Sequence, residues 1–207
     1  MHNDVNHLIS IEKEIQTKII ELNYQNYKPK IIAVSKTFSK QEILPLIDYG
    51  HKDFGENKVQ EAVGKWTDIK NDFPHIKLHM IGKLQTNKVK HVIPLFDYIH
   101  SLDNQKLADT LAKHQMNLKR NLNYFIQVNI ANETQKSGIP VSQLDPFYNY
   151  CKNEINLKIV GLMVIPPKDN NAARYFKSLN ELNKSLALQD LSMGMSADYL
   201  EAIFNSF

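Results

Sequence analysis

A lysine closes the first strongly apolar run of the chain, Ile31-Ile32-Ala33-Val34-Ser35-Lys36-Thr37. In a parallel α/β barrel the carboxyl ends of the strands form the functional face. Low-dielectric strand walls there lower a lysine's pKa from about 10.4 and free its amine as a nucleophile. That is the form that makes a Schiff base with an aldehyde cofactor. A lysine that only marks where a strand meets solvent has the same local signature, so position alone leaves both readings open.

Two further segments could carry chemistry. Leu191-Ser192-Met193-Gly194-Met195-Ser196 precedes a helical pattern from Ala197. Small residues at a strand-to-helix turn let backbone N–H groups approach an anion, and barrel phosphate sites often use the last loops. Ser196 either caps the helix or binds a phosphate oxygen. Asp198 argues against the phosphate, because its carboxylate competes for the same place. In Asp53-Phe54-Gly55-Glu56-Asn57-Lys58, Asn57 suits either a hydrogen bond to a ring hydroxyl or a helix cap. Glu56 is a possible acid or base, but no partner carboxylate is identifiable by spacing, which gives glycosidase chemistry no support.

The run Gly82 to His91 is basic, with Lys83, Lys88, Lys90 and His91. A solvated helix face is the ordinary explanation. An RNA-binding surface is the sharper one, but no aromatic residues interleave to stack on bases. His75 and His79 are four apart at or before a strand, where that spacing separates them by about 13 Å. They are not expected to form a zinc pair, and no HExxH pattern is present.

The elements that must position these residues follow from an alternation of apolar runs and amphipathic segments. Strands are predicted at 31–35, 53–55, 78–82, 98–102, 124–129, 159–165 and 191–195. Helices are predicted at 6–24, 41–49, 57–66, 87–95, 104–116, 141–154 and 171–186, with another able to form after Ala197. Apolar strands separated by helices imply a parallel sheet covered on both faces. A closed barrel needs eight strands, and this count reaches seven.

Composition bounds the rest. The chain has 207 residues, 43% hydrophobic and 23% charged, which suits one globular domain over 1–207. Cys151 is the only cysteine, so no internal disulfide can form, and a reducing compartment is favoured. No run is long and apolar enough to cross a bilayer, and Met1 to Ser10 has no signal-peptide core. A cytoplasmic protein without membrane association is expected. A net charge of +3 gives no argument for nucleic acid.

Seven segments together resemble one family, the pyridoxal phosphate homeostasis proteins. They are Ala33 to Thr37, Phe54 to Glu61, His79 to Lys88, Ile126 to Asn129, Lys136 to Gly138, Gly161 to Met163 and Leu191 to Ser196. The resemblance spans nearly the whole chain in order. It implies a TIM (β/α)8-type barrel like the N-terminal domain of alanine racemase, without that enzyme's second domain. It implies that Lys36 carries pyridoxal 5′-phosphate as a Schiff base, with Asn57 near the ring and Ser192, Gly194, Met195 and Ser196 around the phosphate. The implied role is a monomeric carrier in vitamin B6 and amino-acid homeostasis, with PLP-dependent apoenzymes as recipients, rather than an enzyme. The alternative is an amino-acid racemase or lyase using the same lysine.

Family members continue past Ala202-Ile203 into another strand with an Arg-x-Gly-Thr/Ser element and a last helix, whereas this sequence closes on Phe204-Asn205-Ser206-Phe207. The resemblance therefore implies a barrel lacking its eighth strand and last helix. Two unpaired strand edges and weakened cofactor retention are expected from that.

Overall fold

A computed structural model describes residues 3–24, 26–133 and 135–207. Its strands are β1 (Ala33–Val34), β2 (Asp53–Glu56), β3 (Lys77–Met80), β4 (Tyr98–Leu102), β5 (Asn123–Asn129), β6 (Ile139–Pro140), β7 (Ile159–Met163) and β8 (Asp190–Ser192). Seven of them lie side by side in the order β1-β2-β3-β4-β5-β7-β8. Every neighbouring pair is parallel. These are the seven apolar runs of the sequence. The added strand, β6, is a two-residue pairing of Ile139 with Val128 on β5.

The helices are α1 (Asn3–Glu21), α2 (Lys40–Asp48), α3 (Val59–Asp72), α4 (Val89–Val92), α5 (Gln105–Leu118), α6 (Leu144–Asn149), α7 (Ala172–Ser185) and α8 (Tyr199–Phe204). Local chemistry sets several ends. The Asn104 side chain accepts from Leu107 N–H at 2.9 Å and starts α5, which stops at left-handed Lys119. The Glu42 carboxylate takes both the N–H and the hydroxyl of Ser39 at 2.7 Å, and these bonds start α2. Helix α3 runs six residues past the predicted end at Trp66, because Ile69 is also fully buried.

Side chains alternate across the strands. On β3, Leu78 and Met80 join the core beneath the helices, where Phe54 of β2 meets Trp66 of α3 at 4.9 Å between ring centroids. His79, between them, faces the other side. His100 of β4 lies within hydrogen-bond distance of Ser192 on β8, although β5 and β7 stand between those strands. In a flat sheet three strand spacings amount to about 14 Å, so the sheet is curled and this face is its concave interior.

β1 and β8 each have one strand neighbour, as expected from the count of seven. The elements flanking them meet nonetheless. Ile15 and Ile19 of α1 pack with Ile203 of α8, Tyr24 stacks on Phe207 at 3.5 Å, and Asn180 donates to the carbonyls of Asn205 and Phe207. The α1–α8 and Tyr24–Phe207 contacts link the two ends of the curled sheet, and among the described residues no hydrogen bonds join β1 to β8.

Candidate functional site

Lys36 sits in the turn that leaves β1, beyond the carboxyl end of the strand. It is exposed rather than walled in by strands, so the expected low-dielectric enclosure is absent around it. Its backbone, by contrast, is held from several directions. Ser35 is buried, and its hydroxyl donates to Glu56 Oε1 at 2.7 Å. Lys65 Nζ donates to Ser35 O at 2.6 Å and Phe38 O at 2.9 Å. Thr37 N–H donates to Glu61 Oε1 at 2.5 Å, and Thr37 adopts φ 67°, a left-handed conformation that costs a β-branched residue energy. The turn therefore presents, on a fixed backbone, a lysine amine that has no hydrogen-bond or ion-pair partner among the described residues.

Glu56 is the hub of that clamp. Its side chain is fully buried, 2.8 Å from Lys65 Nζ, and accepts from Trp66 Nε1 at 2.9 Å. This corrects the reading of Glu56 as an available acid or base: it is a structural anion. Asn57 does not cap α3, because Lys58 occupies the cap position and no side chain caps that helix. The Asn57 amide makes no hydrogen bond among the described residues and lies half-buried past the end of β2. Gly82 crosses it closely, and a Cβ there would fall 2.3 Å from Asn57 O.

The turn after β8 is part open and part filled. Gly194 has φ +87°, and a Cβ on it would meet the Ala202 Cβ at 2.8 Å. Met195 N–H is taken by Asp198 Oδ1 at 2.6 Å, the competition for this turn that the sequence suggested. Among the described residues, the N–H groups of Gly194, Ser196 and Ala197 and the Ser196 hydroxyl make no hydrogen bond. Three open N–H donors with a seryl hydroxyl suit an anion. With the Lys36 amine, the donor set at this end of the strands fits a phosphorylated aldehyde.

Beneath the mouth runs a chain of polar side chains that sequence reasoning missed. Val34, Gly55, His79 and Tyr98 are level with one another across β1 to β4. His79 Nε2 is 3.0 Å from Asp53 Oδ1, His79 Nδ1 is 2.9 Å from His100 Nε2, and His100 Nδ1 is 2.6 Å from Ser192 Oγ. Both imidazoles are buried, His79 stacked on Tyr98 and His100 on Phe125, each at 4.4 Å. Burial lowers the pKa of His79, against the opposing pull of Asp53, and drives that of His100 well down, so both rings are neutral near pH 7. Burial raises the Asp53 pKa, but the His79 bond and nearby positive charge outweigh it and hold the carboxyl below its ordinary value. The available signal was a histidine flanked by buried apolar residues on each of two strands, Leu78 and Met80 on β3 and Ile99 and Leu102 on β4.

A seven-stranded curled parallel sheet with a lysine in the turn after β1 defines an α/β barrel of the alanine racemase kind. Residues 15–207 match the family model described as alanine racemase, N-terminal domain. The chain is 36% identical over 203 residues to a pyridoxal phosphate homeostasis protein of Haemophilus influenzae, covering 93% of this chain and 86% of the relative. It is 37% identical over 183 residues to the protein of that name from Aquifex aeolicus, covering 84% and 79%. Among solved structures, PipY of Synechococcus elongatus PCC7942 with PLP bound superposes with a TM-score of 0.79 at 31% identity, covering 92% of this chain and 93% of that one. The chain belongs to the pyridoxal phosphate homeostasis protein family.

Proposed function

We propose that this chain binds pyridoxal 5′-phosphate, holds it covalently through Lys36 Nζ, and serves as a carrier in PLP homeostasis rather than as an enzyme. Bound, the cofactor supplies an aldehyde for amine condensation and an electron-withdrawing ring. The turn after β8, with Ser192, Gly194, Met195 and Ser196, receives the phosphate, and Asn57 stands beside the ring. Within that turn the Gly194 and Ser196 N–H groups are the donors, since Asp198 occupies the Met195 N–H. PLP-dependent apoenzymes are the recipients, and the chain acts as one unit, a monomer in the cytoplasm. No helix of the described residues is long and apolar enough to cross a membrane.

The observation that carries this reading is a lysine amine on a clamped turn, unpartnered among the described residues, at the same end of the strands as N–H donors that are likewise open among them. Commitment of the acid–base groups supports a carrier. Glu56 is sequestered by Ser35, Lys65 and Trp66, and both interior histidines are bonded into a chain. Amino-acid racemisation needs an acid and a base free to move protons on opposite faces.

Intact mass after borohydride reduction, with and without PLP, tests the reading. One reduced adduct on wild type, absent from Lys36→Ala, is the expected result. No adduct on folded wild-type protein overturns it. Loss of enantiomeric purity in L-amino acids, abolished by Lys36→Ala, would replace the carrier with a racemase.

A further inference from the structure

The buried chain from Asp53 to Ser192 has a polarity, and that polarity fixes what Ser192 can do. An ionised carboxylate only accepts, so Asp53 requires the proton of His79 to sit on Nε2. The neutral ring then has a bare Nδ1, which must accept from His100 Nε2–H. That leaves His100 Nδ1 bare, and it accepts the hydroxyl proton of Ser192. Every donor points toward Asp53. With its one proton committed inward, the Ser192 hydroxyl can only accept from a ligand, whereas a phosphate dianion needs donors.

We propose that binding of a phosphate monoester at Ser192 is coupled to the uptake of one proton, with His79, His100 and Asp53 as the positioning residues that impose the coupling. The inference rests on the assignment of the phosphate to the turn after β8. Two states satisfy every hydrogen bond. In one the phosphate binds as its monoanion and donates its P–O–H to Ser192 Oγ. In the other a proton from water protonates the chain at His79. His79 then donates to both Asp53 and His100 Nε2, His100 donates from Nδ1 to Ser192, and the Ser192 hydroxyl turns to the dianion. No bond between heavy atoms changes, and each state holds one proton more than the free protein and free dianion. Free phosphate monoesters lose their second proton near pH 6, so near pH 7.5 the uptake is close to complete.

The groups around His79 bias the chain without replacing it. Asp53 on β2 faces Nε2 and His100 on β4 faces Nδ1. Asp97 before β4 favours the protonated ring, whereas Lys30, 5.7 Å from the centre of the Tyr98 ring, opposes it. His51 lies near enough to add positive charge at Asp53. Burial keeps the ring neutral at rest, and a bound anion supplies the charge that reverses it.

Asp53→Asn separates this coupling from a structural role. An amide either accepts from or donates to His79, so the chain reverses without a proton. The probe is pyridoxine 5′-phosphate, which has no aldehyde and leaves Lys36 chemistry out of the proton count. Calorimetry at pH 7.5 in two buffers of different ionisation enthalpy gives protons taken up per ligand bound. About one is expected for wild type, with affinity falling about tenfold from pH 7 to pH 8. Near zero, with binding retained and flat over that range, is expected for Asp53→Asn. Ser192→Ala, a second variant at the partly exposed end of β8, is expected to bind more weakly and also without uptake. Zero uptake in wild type, or equal uptake in Asp53→Asn, overturns the proposal. If the probe fails to bind while reduction with PLP still labels Lys36, the phosphate assignment and this proposal fall and the lysine assignment stands. If the lysine is not labelled either, the cofactor reading itself has failed.

Discussion

Lys65 Nζ lies 2.6 Å from the carbonyl oxygen of Ser35, the residue that precedes the candidate cofactor lysine. The same ammonium is 2.8 Å from buried Glu56 and 2.9 Å from the carbonyl of Phe38. One side chain on α3 therefore fixes both sides of the Lys36 turn and neutralises the carboxylate beneath it. The stability of this region and the placement of the candidate lysine are joined at this point.

Lys65→Met is expected to lower both. Removing one partner of a buried ion pair leaves an uncompensated charge, at a cost of about 3–5 kcal/mol. The added variant Glu56→Gln/Lys65→Met removes both charges and is expected to recover a large part of that loss. Urea denaturation of the two variants checks this. Equal midpoints for Lys65→Met and wild type would show that the pair contributes nothing. Adduct formation on Lys36 should slow in Lys65→Met under conditions where the protein remains folded.

Gly82→Ala is expected to disturb Asn57 more than it disturbs the core. The new Cβ falls 2.3 Å from Asn57 O and 2.7 Å from Asn57 Cα, both backbone atoms, so the end of β2 must move. Overpacking of this kind costs about 1–3 kcal/mol. Thermal unfolding, with pyridoxine 5′-phosphate affinity measured alongside, tests it. An unchanged affinity would remove Asn57 from the site.

How much was legible in sequence depends on whether the deciding interaction is local. The seven strands were legible because most of them lie in short apolar runs bounded by turns, such as Tyr124 to Val128 on β5, every residue of which is buried. β6 was not, since two residues ending in Pro140 carry no period. The position of Lys36 just past the first strand was legible from the apolar run before it, and the clamp on its backbone was not. Glu61 and Lys65 are one turn apart on α3, yet they reach back 24 and 30 residues to Thr37 and Ser35. The histidine chain joins residues 21 and 92 positions apart, and it exists only because the sheet curls.

Cys151 is expected to be inert. It is fully buried, and burial, with a smaller contribution from Asp109, pushes its thiol up to about 12. The thiolate, not the thiol, is the reactive species. Iodoacetamide at pH 8 should leave native protein unmodified over hours and alkylate it rapidly in urea. Labelling of native protein at the rate of the unfolded chain would place this thiol in solvent.

The interior histidines should make the cofactor-free protein acid-labile. Both are lowered in the folded state, His100 strongly, and their ordinary value in an unfolded chain is about 6.5. Below that value the unfolded chain binds protons that the native interior refuses. Stability is therefore fully present above about pH 7 and falls as the pH drops through 6.5 toward the lower native values, by up to about 1.4 kcal/mol per pH unit for each histidine. Asp53, also lowered, acts in the same direction only at more acidic pH. His100→Phe keeps the ring stacked on Phe125 and removes one titrating group, so its loss between pH 7.5 and 5.5 should be shallower than that of wild type. Denaturant midpoints over that range decide the matter. Parallel curves would mean that His100 titrates alike in the folded and unfolded chain, which its 1% exposure and its bond to Ser192 argue against.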